Sequence, residues 1–94
     1  MKRVNFKELS VEIEIDVYET MDFRKEIGNA IHRQAVTIPM DELARKIYHS
    51  NEPVDIEDEE YGLMISVLSK SFSLMLYQAV ERCTIEVKKD NKEG

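Results

Sequence analysis

The side chains best suited to nucleophilic or proton-transfer chemistry near neutral pH in this 94-residue chain are His32, His49 and the single cysteine, Cys83. A Cys-His pair needs a thiol whose proton a neighbouring imidazole takes up, and no local spacing in the sequence brings these three residues together. Each histidine falls at the polar edge or last turn of an expected helix, where an imidazolium is favoured by the negative end of the dipole. Cys83 sits on an apolar stripe and reads as a small buried hydrophobe. Glu12 and Glu14 share one face of an expected strand and would form a carboxylate pair only if that face were covered; on an exposed strand they are solvated. The run Asp55-Ile56-Glu57-Asp58-Glu59-Glu60 invites a calcium reading. An EF-hand loop begun at Asp55 needs glycine at its sixth position and glutamate at its twelfth, whereas Glu60 and Ser66 stand there. Serine nucleophile elbows, glycine-rich phosphate loops and zinc-binding spacings are missing, and only Gly28, Gly62 and Gly94 are present to build a cradle. No residue is assigned a catalytic, cofactor-binding or metal-ligating role, and the expectation is a non-enzymatic protein without a cofactor.

The stretch Pro39-Met40-Asp41-Glu42-Leu43-Ala44-Arg45-Lys46-Ile47-Tyr48-His49-Ser50 poses a different question, because it resembles the first helix of a DNA-reading helix-turn-helix. A recognition helix should follow within three or four residues and place its N-terminal turn in the major groove. The connection 50–56 is longer, and the next helix opens on Glu57, Asp58, Glu59 and Glu60. Duplex DNA carries a phosphate every ~1.7 Å of axis, and four carboxylates at the docking end are repelled by it. Helix-start chemistry explains the stretch without DNA: proline suits the first turn, and the two acids complement the dipole.

The elements that must position these residues follow from periodicity. From Leu9 to Val17 apolar and polar residues alternate strictly, which predicts a half-buried strand with its acids in water. Val4 and Phe6 suggest a shorter strand before it, and residues 18–20 extend or follow it. A lone hairpin is marginal in water, so a third strand or a helical layer is required; Thr84 to Lys88 is either that strand or the frayed end of a helix. Asp22 is placed to cap a helix of about Phe23 to Gln34, with Phe23, Ile27, Ala30 and Ile31 on one face and Gly28 marking close packing. A second helix spans about Pro39 to His49, with Leu43, Ala44, Ile47 and Tyr48 inward. Beyond it, Tyr61, Met64, Ile65, Leu68, Phe72, Met75, Leu76, Ala79 and Cys83 fall within one stripe about 120° wide, which predicts a continuous helix from Glu57 to Cys83 unless Ser69-Lys70-Ser71 breaks it. Leu63, Val67 and Leu74 lie on the opposite side and form a candidate interface. The fold class expected is α+β: a two-stranded antiparallel N-terminal hairpin packed on about three helices, the last long and central. Residues 1–87 form a single domain and 88–94 a polar tail.

Hydrophobic residues at 43% and charged residues at 34% suit a globular domain. The 20 residues from Tyr61 to Val80 carry only Lys70 as a charge, but a central lysine costs about 2.5–3.5 kcal/mol in a bilayer, so a soluble helix is expected rather than a membrane span. With one cysteine and no apolar signal region near Met1, the expected setting is the cytoplasm. Segment 41–62 holds 8 acids and 2 bases, a balance equal to the net charge of −6 for the whole chain.

Three stretches, "VNFKELSVEIEID" (4–16), "IGNAIH" (27–32) and "DELARKIYHS" (41–50), make the first half of the chain similar to small prophage- and mobile-element-encoded proteins of gut-type bacteria. That resemblance implies a host-cytoplasm setting and an accessory role, and it brings no activity with it. Taken with the second apolar stripe, it points to a protein-protein interaction module that self-associates, with a protein partner, a homodimer among the options, and neither nucleic acid nor membrane as ligand. Two alternatives stand beside it. One is a small phage-type DNA-binding regulator. The other is an acidic-patch inhibitor or nucleic-acid mimic, docking on a basic partner through Asp55, Glu57, Asp58, Glu59 and Glu60.

Overall fold

The structure is a computed structural model and describes residues 1–87, so the expected tail and Lys88 lie outside the described residues. The chain forms β1 (Lys2–Val4), β2 (Leu9–Glu14), β3 (Val17–Met21), α1 (Arg24–Gln34), α2 (Ile38–Tyr48), β4 (Val54–Ile56), α3 (Asp58–Ser71), α4 (Leu74–Arg82) and β5 (Ile85–Glu86). This is the α+β class expected, with a hairpin packed on helices.

The hairpin is not the one the alternation suggested. Strict alternation runs from Leu9 through Val17, but the chain turns at Ile15 and Asp16, so β2 pairs with β3. Asp16 supplies the polar position of the pattern and also adopts the left-handed φ of 63° that the turn needs. Its N–H donates to Glu12 Oε2 at 2.8 Å, which fixes the turn locally. Strand β1, expected to lie against β2, pairs instead with β4 and β5 in a separate antiparallel sheet of order β4-β1-β5. Thr84 to Lys88 therefore does contribute a strand, Ile85–Glu86, on a different sheet from the hairpin. Strand β4 was hidden in the acidic run: Val54-Asp55-Ile56 alternates over only three residues, with both apolar side chains fully buried.

Helices α1 and α2 make an antiparallel pair joined by residues 35–37. Phe23, not Asp22, is the N-cap residue of α1; the Asp22 carboxylate accepts the Arg24 N–H at 3.1 Å from one residue earlier. Thr37 caps α2, its hydroxyl accepting the Met40 N–H at 3.3 Å. Close approach of the two helices requires Gly28: a Cβ there would stand 2.9 Å from the Ala44 carbonyl oxygen and 2.9 Å from Tyr48 Cβ.

The long helix expected from Glu57 to Cys83 is broken. Phe72 (φ −133°, ψ 168°) and Ser73 (φ −68°, ψ 162°) are extended and separate α3 from α4. The serines account for the site of the break. Ser69 Oγ turns back to the Ser66 carbonyl at 2.8 Å, and the Ser71 hydroxyl accepts from Gln34 Nε2, tying the end of α3 to the end of α1. Two extended residues reset the helical phase. Met75, expected inward, is therefore exposed, while Val80, outside the expected stripe, is fully buried.

The core joins Leu9 and Val11 of β2, Ile27 and Ile31 of α1, Ile47 of α2, the β4 side chains, Met64 and Leu68 of α3, and Leu76 and Val80 of α4. Burial of such side chains is the main stabilising term, about 1.5–3 kcal/mol each. No helix among the described residues is long and apolar enough to cross a membrane.

Candidate functional site

The residues with the most reactive side chains separate into two places. His32 bonds through Nδ1 to Asp41, whose other oxygen accepts from Arg45 Nε at 3.0 Å. These contacts hold the Asp41 carboxyl below its usual range, the His32 hydrogen bond contributing most and Arg45 next. His49 packs edge-on to Tyr48, ring centres 4.9 Å apart. Both histidines line an open groove of about 190 Å³ between α1 and α2, over Gly28 and Ala44. Cys83 is not part of that groove. It is half-buried at the root of the hairpin, where its Sγ accepts the Ser10 N–H at 3.3 Å. The structure thus brings the two histidines together and leaves the cysteine on a different element. Among the described residues, no three His, Cys, Asp or Glu side chains group as a metal ion would require.

The acidic run is divided between two elements and partly paired. Register places Asp55 opposite Arg3, whose Nε and Nη2 reach its two carboxylate oxygens at 2.7 and 3.2 Å. Arg3 accordingly lowers the Asp55 pKa. Asp58 lies 3.0 Å from the Met1 ammonium. Glu57, Glu59 and Glu60 line the same shallow concavity as Met1 and Asp58 at the N-terminal turn of α3. Of the candidate interface, Leu63 is 54% exposed on α3 and Val67 is partly buried against the core, while Leu74, 63% exposed, stands on α4 beyond the break.

A surface that periodicity had assigned to the interior is the distal half of the β2–β3 hairpin. Helix α4 packs on β2, but nine helical residues are only about 13 Å long. Leu9 and Val11 are buried, Ile13 and Val17 are 41% and 46% exposed, and Ile15 at the tip is 89% exposed. Alternation had placed all five on one inward face. The same hairpin, from Glu8 to Asp22, holds six acids and no lysine or arginine. Asp22 is engaged by Arg24, but Glu14, Asp16 and Glu19 make no ion pair among the described residues. Arg82 is fastened to the root of the hairpin: Nη2 donates to the Ser10 carbonyl at 2.7 Å, and the guanidinium lies 4.9 Å from the Tyr18 ring centre. A count of charge over 8–22, separate from the apolar pattern, is the sequence signal that marks this element.

The chain has no significant match among known protein families, curated proteins or solved structures.

Proposed function

We propose that the protein is a non-enzymatic interaction module of the cytoplasm that docks on a basic protein surface through the distal half of its β2–β3 hairpin. The observation that carries this reading is an overhanging hairpin with Ile13, Ile15 and Val17 exposed among Glu14, Asp16 and Glu19. Apolar side chains rimmed by charge of one sign provide both the area to desolvate and the sign of the partner. A protein, not nucleic acid, is the partner assigned, because unpaired carboxylates repel phosphates. The accessory role implied by the resemblance to prophage-encoded proteins agrees with this reading.

Affinity capture from host lysate with the wild type, an Ile15→Asn/Val17→Thr variant and a Leu63→Ser variant tests the proposal. A basic protein retained by the wild type and the Leu63 variant, lost by the hairpin variant and released by moderate salt is the expected result. Retention indifferent to both the hairpin and salt sinks it.

A second reading, self-association, is favoured by Leu63, Leu74 and Met75, which remain exposed along α3 and α4. Sedimentation equilibrium at micromolar concentration would then show a dimer that Leu63→Glu dissociates. A monomer at all concentrations removes this reading and leaves the hairpin proposal intact.

A further inference from the structure

The outer edge of β3 is open. Ser10 donates its N–H to Cys83 Sγ and accepts from Arg82 at its carbonyl, so both backbone groups point away from β3. In an antiparallel ladder the two members of a pair turn their backbone groups either toward each other or both outward. Ser10 pairs with Thr20, and therefore the Thr20 N–H and carbonyl point outward from β3; Tyr18, paired with Glu12, repeats the arrangement two residues earlier. Neither residue finds a backbone partner among the described residues, and β3 is the end of a two-stranded sheet. Four of its five residues are exposed. The strand Val17-Tyr18-Glu19-Thr20-Met21 is rich in β-favouring residues and contains no proline or lysine to blunt the edge.

Charge selects the occupant. A second copy of the chain would set two hairpins side by side, each bearing Glu14, Asp16 and Glu19 without a base, and like charges on neighbouring strands are destabilising. We infer that β3 is a strand-accepting edge that takes an extended basic segment of another protein, with a lysine or arginine beside Glu19 and apolar residues beside Val17 and Tyr18. Main-chain hydrogen bonds to Tyr18 and Thr20 supply the pairing, and the acids set the register and the sign of the partner. This inference rests on the reading of the hairpin as the docking element and specifies how it binds.

The probe is a nine-residue peptide of three Val-Val-Lys repeats, titrated at low salt into the full chain and followed by amide NMR and hydrogen exchange. A version methylated at every backbone amide keeps the side chains and removes the donors. On the protein side, Thr20→Pro deletes one outward donor at an edge position where proline leaves the inner ladder intact. The expected result is protection of the Tyr18 and Thr20 amides, with binding weakened about tenfold or more by methylation and by Thr20→Pro. If the methylated peptide binds as well as its parent, strand addition is overturned while docking by charge and apolar contact survives. If the peptide perturbs Glu57 to Glu60 instead of the hairpin, or does not bind at all, both readings fall. Should Thr20→Pro not fold, the peptide pair alone decides the matter.

Discussion

At the scale of single residues, two glycines in helices have opposite roles. Gly62 faces open space, and Gly28 faces a carbonyl oxygen and a Cβ that cannot swing aside. Alanine improves helix propensity by up to about 1 kcal/mol at either site, but overpacking costs about 1–3 kcal/mol where there is no room. Gly62→Ala is therefore expected to raise the thermal midpoint and Gly28→Ala to lower it; equal shifts from the two variants would contradict the packing of α1 on α2. The paired carboxylates make a second expectation. Asp22, Asp41, Asp55 and Glu86 are held below their ordinary values chiefly by Arg24, His32, Arg3 and Lys2 respectively. A depressed folded pKa means that the unfolded chain takes up protons first. The stability from these pairs is full above the unfolded carboxyl range, about pH 4, and is lost as pH falls through the lower folded values. Thermal melts taken downward from pH 5 should show the midpoint falling below about pH 4, and a flat profile to pH 2.5 would count against the pairs.

At the scale of elements, the hairpin is held at its root and released at its tip. Leu9, Val11 and the Ser10 bonds to Cys83 and Arg82 secure the root, whereas Ile15 at the tip is exposed. Arg82→Ala removes one hydrogen bond and a cation over Tyr18, together worth about 1–2 kcal/mol. Amide exchange across β2 and β3 is expected to accelerate in this variant while the Ile27 and Ile31 amides of α1 keep their protection; uniform acceleration would show that hairpin and core open as one unit. The helical elements were legible because their apolar residues recur at i, i+3 and i+4, and Asp22 and Pro39 stand at or beside their starts. Strand β4 was not, since three alternating residues carry too little period to stand out from an acidic run. A break near Ser69-Lys70-Ser71 stayed open in the sequence because apolar residues on both sides share one helical phase, and the structure places it at Phe72-Ser73.

At the scale of the whole molecule, charge is distributed more informatively than its sum. Asp55 and Asp58 meet Arg3 and the Met1 ammonium respectively, while among the described residues the hairpin acids Glu14, Asp16 and Glu19 make no ion pair. Self-repulsion of a chain with net charge −6 opposes the compact state and is screened by salt. Raising sodium chloride from about 20 to about 500 mM, Debye lengths of roughly 20 and 4 Å, is expected to raise the thermal midpoint at pH 7. A midpoint that falls would show that the ion pairs outweigh the repulsion. Sequence by itself determined the α+β class, the faces of α1 and α2, the need for Gly28 in a close contact and the acidic character, because periodicity and helix-start chemistry act over a few residues. Only the tertiary structure decided which strands pair, where the last helix breaks, which acids are neutralised and which apolar residues stay in water. Those outcomes depend on what another part of the chain covers: α4 packs on β2, yet Ile13, Ile15 and Val17 stay outside the core their alternation had assigned them to.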